Sequence, residues 1–154
     1  IPFLEKAKEA NFDIVVITNQ SSISRKIISY EEYLSITESF LSKLPKDLYP
    51  RLILASFHLQ DNSNNLPNFE WRKPGKGMFN YVLKEEMYDV DKSIMIGDKF
   101  TDLLPAYNSN IRNLIYVQSS LHKDEIQKIN KWNKKNKNLI NISNMLDPEY
   151  FVNK

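Results

Sequence analysis

A chain of 154 residues that is 42% hydrophobic and 26% charged can bury a real core, which excludes a disordered or fibrous polypeptide. Its net charge of +2 supplies no field that demands a polyanionic partner, and the lack of cysteine excludes disulfides and thiolate metal sites while favouring a cytosolic setting. No apolar run reaches the ~20 residues that a membrane-spanning helix needs, so no membrane association is expected.

From Phe3 to Ala10 the apolar residues recur at helical spacing, and Asn11 supplies a C-terminal stop. Ile14 to Ile17 is apolar throughout and rich in β-branching, the pattern of a strand buried on both faces of a parallel sheet. Ser29 and Glu32 form a capping-box sequence for a helix from Tyr30 to Leu44, which Pro45 ends. Leu52 to Ala55 is the next predicted strand, and Gln60 to Asn68 a polar loop. A helix starting near Gly75 carries Met78, Phe79, Val82, Leu83 and Met87 on its apolar face.

Ser93 to Ile96 is predicted as a strand, Asp102 to Ser109 as a short helix and Asn113 to Val117 as another strand. Leu121 to Lys137 is a lysine-rich helix, followed by a terminal strand at Leu139 to Ile142 and a last helical segment. This alternation predicts an α/β doubly wound, mainly parallel Rossmann-like sheet with helices on both faces, in one domain spanning residues 1–154. The chain opens at Ile1 inside helix-like sequence, and the domain is expected to be N-terminally incomplete, a fragment of something longer.

Three polar clusters punctuate these elements: Thr18-Asn19-Gln20-Ser21, Arg72-Lys73-Pro74 and Gly97-Asp98-Lys99. Ligands of open parallel sheets collect beyond the carboxyl ends of the strands, where Thr18 and Asp98 fall. The Thr18 hydroxyl and the backbone N–H groups after it suit phosphate oxygens, and Asn19 could orient a substrate. Lys73 is a compact charge for a phosphoryl group, and Arg72 a fork for a second anion. Asp98, placed behind a glycine at a strand end, suits a hard divalent ion such as Mg2+. Each cluster alone has a plainer reading: a polar loop for Thr18 to Ser22, a solvated side chain for Lys73, a helix cap for Asp98 or Thr101.

In this order, Thr18-Asn19-Gln20-Ser21, Arg72-Lys73-Pro74-Gly75-Lys76-Gly77-Met78 and Ile96-Gly97-Asp98-Lys99-Phe100-Thr101-Asp102 resemble the second, third and fourth motifs of haloacid dehalogenase-superfamily phosphatases. The resemblance is to the heptose-1,7-bisphosphate and histidinol-phosphate phosphatase branch, and it spans Phe3 to Val117. It implies that Thr18 and Lys73 stabilise the phosphoryl group and that Asp98 binds Mg2+. Arg72 would recognise substrate, Lys99 would sit at the metal and phosphate edge, and Asn19, Gln20, Ser21 and Arg25 would line the substrate side. The substrate is then a small phosphorylated metabolite and the protein a cytoplasmic monomer.

The family's first motif, an Asp-x-Asp that supplies nucleophile and acid/base, is missing. The one Asp-x-Asp present, Asp89-Val90-Asp91, precedes its strand and so lies a strand's length, about 13 Å, from Asp98; it reads as a turn. Asp13 fails for the same reason. The first, central strand of the sheet is thus expected to lie on about 30 further N-terminal residues, the length such a strand and its connection need. Without them the chain should be inactive.

The zinc loop of many relatives is represented by Ser56-Phe57-His58 and Phe69-Glu70-Trp71, so no zinc is expected; His58 reads as a loop or core residue, and Phe69 and Trp71 as apolar fasteners. Ser22 and Lys26 stand where relatives often have glycine. Two other readings stay open. One is a polynucleotide 3′-phosphatase drawing on Lys123, Lys128, Lys131, Lys134, Lys135 and Lys137, which is disfavoured because Asp124 and Glu125 interrupt the set. The other is a catalytically dead phosphate-binding module.

Overall fold

Parallel strands need crossover connections long enough to hold a helix, and the spacing of apolar runs in this chain meets that need repeatedly. The computed structural model describes residues 1–59 and 70–151, which fall into two compact units, 1–59 with 147–151 and 70–146. The class is α/β, with every paired strand parallel and six α-helices among the described residues. The polar loop predicted at Gln60 to Asn68 and the fastener Phe69 lie outside the described residues.

In the first unit, α1 (Pro2–Glu9) opens with proline in its first turn, where the missing N–H costs nothing. It buries Phe3 and Ala7 and stops at Asn11, which adopts φ 62°, a conformation that asparagine tolerates. Phe3 and Phe12 pack on Phe151 with ring centroids 4.9 and 5.2 Å away, so the two ends of the unit close one aromatic cluster. β1 (Val15–Asn19) pairs with β2 (Leu52–Ser56) in a two-stranded sheet, Val15 opposite Leu52 and Asn19 opposite Ser56.

Between these strands run α2 (Ser21–Ser24) and α3 (Tyr30–Leu41). The capping box of α3 forms as its sequence predicts, with the Glu32 N–H donating to Ser29 Oγ at 3.1 Å and the Ser29 N–H to Glu32 Oε2 at 2.6 Å. The helix ends at Leu41, three residues short of the expected Leu44. Tyr33 is its one buried residue and meets Phe57 edge-on at 5.2 Å.

The second unit holds a three-stranded sheet in the order β3 (Ile94–Gly97), β4 (Asn113–Val117), β5 (Ile140–Ser143). α4 (Gly77–Glu85) precedes it and buries Met78, Phe79 and Val82, whereas Met87, assigned to that apolar face, lies beyond the helix and is exposed. α5 (Phe100–Asn108) connects β3 to β4 and buries Leu103 and Ala106. α6 (Glu125–Lys135) connects β4 to β5; its Asn133 amide donates to the Ile140 carbonyl at 2.8 Å and accepts the Ile140 N–H at 3.0 Å, fixing the last strand to the helix.

Three expectations need correction. The first apolar run is not buried on both faces: β1 is half-buried at all five positions, because it has one hydrogen-bonded neighbour among the described residues, while β4, flanked on both sides, buries Leu114, Ile115 and Tyr116. α5 starts at Phe100 instead of Asp102, because a carboxylate from elsewhere in the unit satisfies the first free N–H of the helix. α6 begins four residues later than Leu121, after a succession of turns from Ser119 to Glu125. The Asp89-Val90-Asp91 segment is a turn, as read, with Asp89 Oδ1 accepting the Asp91 N–H at 3.0 Å.

Candidate active site

In the first unit the polar residues after the apolar run continue the strand. Thr18 and Asn19 are the last two residues of β1, paired in register with Ala55 and Ser56. Gln20 stands at the N-cap position of α2 without a side-chain cap bond, and its backbone N–H donates to the Ser56 carbonyl at 2.7 Å, which extends the ladder one residue past the strand. The Gln20 amide donates to Thr18 Oγ1 at 3.0 Å. That bond uses an acceptor site of the threonine and leaves the hydroxyl proton to be donated elsewhere.

Ser21 is the first residue of α2, and Arg25, exposed, is its C-cap. The Ser24 hydroxyl donates to the Phe57 carbonyl and ties this short helix to the segment after β2. Lys26 holds φ 56°, a conformation that glycine adopts without steric cost. Ser56 is fully buried at the carboxyl end of β2, and His58 is exposed two residues further on. Asp13, before β1, pairs with Lys8 at 3.5 Å and Arg51 at 3.8 Å, at the opposite end of the strand from Thr18.

In the second unit the segment from Glu70 to Gly77 folds back on itself. The Gly77 N–H donates to the Glu70 carbonyl and the Gly75 N–H to the Arg72 carbonyl, each at 2.7 Å. A Cβ on Gly75 would collide with the Glu70 carbonyl oxygen, so the reversal requires glycine there. Arg72 is half-buried within this turn, the Lys73–Pro74 peptide is cis, and Trp71 packs edge-on against Tyr81 of α4 at 5.9 Å.

The turn directs Lys73 inward. Its side chain is 7% exposed and its Nζ lies 2.8 Å from Asp102 Oδ1. Asp102 reaches that ammonium because the residue under it is Gly97: a Cβ at position 97 would sit 2.7 Å from Asp102 Cβ, closer than side-chain carbons approach. Asp98, next after β3, keeps its side chain 43% exposed, with Oδ2 3.6 Å from His122 Nε2. Lys99 is the N-cap of α5 in extended conformation and provides no side-chain cap.

Tyr116, opposite Gly97 in the β3–β4 register, is fully buried, and its hydroxyl has no hydrogen-bond partner among the described residues. Burial, reinforced by the Glu125 and Asp98 carboxylates, pushes its ionisation above the usual phenol range.

The candidate residues thus divide between the units, Thr18, Asn19, Gln20, Ser21 and Arg25 in the first and Arg72, Lys73, Asp98 and Lys99 in the second. Sequence reasoning gave no role to Asp102, His122, Glu125 or Tyr116. For Asp102 a signal existed, since it stands one helical turn after Asp98 in the first turn of α5. The others come from a separate strand and helix and carry no local mark.

Residues 1–110 match the family described as polynucleotide kinase 3 phosphatase. The D-glycero-beta-D-manno-heptose-1,7-bisphosphate 7-phosphatase of Pasteurella multocida is 30% identical over 122 residues, 77% of this chain and 66% of that protein. The histidine biosynthesis bifunctional protein of Campylobacter jejuni is 29% identical over 121 residues, 78% of this chain but 33% of its own. The chain therefore spans just under two thirds of the heptose bisphosphate phosphatase and one third of the bifunctional protein.

A crystal structure of the D,D-heptose 1,7-bisphosphate phosphatase of B. bronchiseptica, complexed with magnesium and phosphate, superposes with a TM-score of 0.69 over 83% of this chain and 71% of that one, at 20% identity, which establishes the common fold. With its motifs at the strand ends of that fold and the family match covering 110 of its 154 residues, the chain belongs to the polynucleotide kinase 3 phosphatase family, within the haloacid dehalogenase superfamily.

Proposed function

We propose that the polypeptide carrying these residues is a Mg2+-dependent phosphomonoesterase of carbohydrate metabolism. Its substrate is a small sugar phosphate or related metabolite, of the heptose bisphosphate or histidinol phosphate type. Catalysis passes through an aspartyl-phosphate whose nucleophile lies outside these 154 residues. The observation that carries the reading is the buried Lys73–Asp102 pair, one helical turn beyond Asp98 at the carboxyl edge of β3. An ammonium withdrawn from water and oriented by a carboxylate stabilises developing phosphoryl charge far better than a solvated lysine does. The names of the relatives support the substrate class.

The donors present fit Mg2+. Asp98 is a hard oxygen ligand, half-exposed at a strand end, and among the described residues no cluster of three or more His, Cys, Asp or Glu forms a closed metal cage. Mg2+ is characteristically held by one or two carboxylates, with phosphate and water completing its shell. When bound, it offsets phosphate charge. The chain's own residues do the rest: Thr18 donates its hydroxyl to a phosphoryl oxygen, and Lys73 stabilises the transferring group. In the second unit Arg72 and Lys99 are the groups for the substrate's anionic portion, and in the first unit Asn19, Gln20, Ser21 and Arg25 are its substrate-binding groups. The 154 residues alone are expected to show no turnover, and the protein to be a monomer in the cytoplasm.

The test is phosphate release from heptose-1,7-bisphosphate and histidinol phosphate by the natural full-length polypeptide. Lys73→Ala and Asp98→Asn should each lower kcat by at least about 10²-fold, the usual cost of removing one group that stabilises transition-state charge. Full rates in both variants would overturn the site assignment. A second reading, a polynucleotide 3′-phosphatase, is favoured by the description of the matching family. Hydrolysis of a 3′-phosphorylated oligonucleotide in preference to both metabolites, with binding that weakens steeply as salt is added, would establish it instead.

A further inference from the structure

Most of the α-helix starts among the described residues lack a side-chain cap, and the start of α5 is handled in an unusual way. α3 is capped locally, by Ser29 and Glu32. At α5 the N-cap position is held by Lys99, which has no oxygen to offer the free N–H groups of the first turn. The Phe100 N–H donates instead to Glu125 Oε2 at 2.7 Å, across 25 residues of chain. The other oxygen of Glu125 accepts from Lys128 Nζ at 2.5 Å, so both oxygens of the carboxylate are engaged.

The Glu125 side chain is 14% exposed, against 60% for Lys128. Burial alone would raise its ionisation, but the bonds from Lys128 and the Phe100 N–H outweigh it and hold the group below the ordinary carboxylate range. Glu125 is therefore a charged acceptor held at a fixed point. One turn of chain earlier, His122 Nε2 lies 3.6 Å from Asp98 Oδ2. The turn before α6 and the first residue of the helix thus meet the strand-end loop on both sides of Lys99, His122 at Asp98 and Glu125 at Phe100.

Resting on the phosphatase reading above, we propose that Glu125 is a positioning residue, which fixes the Asp98–Lys99 loop through the Phe100 N–H. A lysine at an N-cap position weakens the helix start, and relocating the cap to Glu125 leaves Lys99 available to the ligand while the loop stays fixed. Groups that orient metal ligands from outside the coordination shell commonly change metal affinity about 10–100-fold when removed.

The experiment compares the full-length polypeptide with Glu125→Ala and Glu125→Gln. Mg2+ alone is titrated by calorimetry, hydrogen exchange is followed at the Phe100 amide, and kcat and KM are measured on the sugar phosphate. Glu125→Ala is expected to weaken Mg2+ binding about tenfold, to speed exchange at Phe100, and to lower kcat at subsaturating Mg2+ with KM for the sugar phosphate unchanged.

Glu125→Gln keeps an oxygen acceptor and is expected to restore most of the Phe100 protection and of the Mg2+ affinity. The glutamine variant also keeps the question open to measurement if the alanine variant does not fold. Unchanged Mg2+ affinity in a folded alanine variant, or glutamine no better than alanine, would overturn the proposal. The Mg2+ and exchange measurements need no turnover, so they separate this outcome from a failure of the phosphatase reading, which would appear as unaltered rates in Lys73→Ala and Asp98→Asn.

Discussion

β1 and β4 grow from segments of similar apolarity, yet they reach different environments. Leu114, Ile115 and Tyr116 of β4 are buried, while Val15, Val16 and Ile17 of β1 are each half-buried. The difference lies in their neighbours, since among the described residues β4 has a hydrogen-bonded strand on each side and β1 on one side only. Apolar β-branched sequence encodes the strand, and the surrounding ladder determines its burial.

The candidate site residues follow the same division. Those of the second unit are set by a buried ion pair and a glycine contact, and those of the first by hydrogen bonds near solvent. The second group should therefore be sensitive to small changes and the first tolerant.

The largest expected effect tests the sensitive side. Asp102→Ala removes the carboxylate partner of an ammonium whose side chain is 7% exposed. Breaking a buried pair from one side costs about 3 kcal/mol, because the remaining charge keeps its desolvation penalty and loses the carboxylate that it faces. Asp102→Asn keeps an oxygen acceptor for Lys73 and should lose less. Urea unfolding of the two variants beside the parent measures both, and a loss under about 1 kcal/mol for the alanine variant, the size of an exposed pair, would remove the contrast between the units.

How much of this was legible in the sequence depends on how local its cause was. The strands declared themselves through β-branched runs, and the α3 capping box through two residues three apart. Thr18 and Asn19 read as loop because they are polar, although their backbone continues the ladder to Ser56; side-chain polarity says little about where hydrogen bonding between strands stops.

The start of α5 was misplaced by two residues because its cap comes from Glu125, and no local pattern announces a remote acceptor. The candidate residues were found as types at strand ends. Their holders were not, because the Lys73–Asp102 contact and the Gly97 clearance arise only when separate segments fold together.

The next test acts on that clearance. Gly97→Ala places a Cβ 2.7 Å from Asp102 Cβ and 3.2 Å from its Oδ2, so Asp102 must move off the position from which it meets Lys73. Overpacking of this kind costs about 2 kcal/mol. Because the displaced group is the partner of Lys73, the variant should also lose kcat, whereas an added methyl that merely crowded the strand end would lower stability alone. Thermal unfolding together with kcat separates the two outcomes.

The smallest effect belongs to the first unit and tests its tolerance. Gln20→Ala deletes the amide that donates to Thr18 Oγ1 at 3.0 Å but keeps the backbone N–H that donates to Ser56 at 2.7 Å, so the ladder across β1 and β2 stays intact. A single part-buried, neutral hydrogen bond contributes about 1 kcal/mol, and the freed Thr18 hydroxyl can take a new partner by rotating. The loss should therefore stay at or below that figure.

A double-mutant cycle with Thr18→Val isolates the pair, and a coupling of about 1 kcal/mol or less is expected for such contacts. Should Gln20→Ala cost as much as Asp102→Ala, the edge of the first unit would be as rigidly built as that of the second. Half-exposure of a strand would then no longer indicate how firmly it holds its polar end.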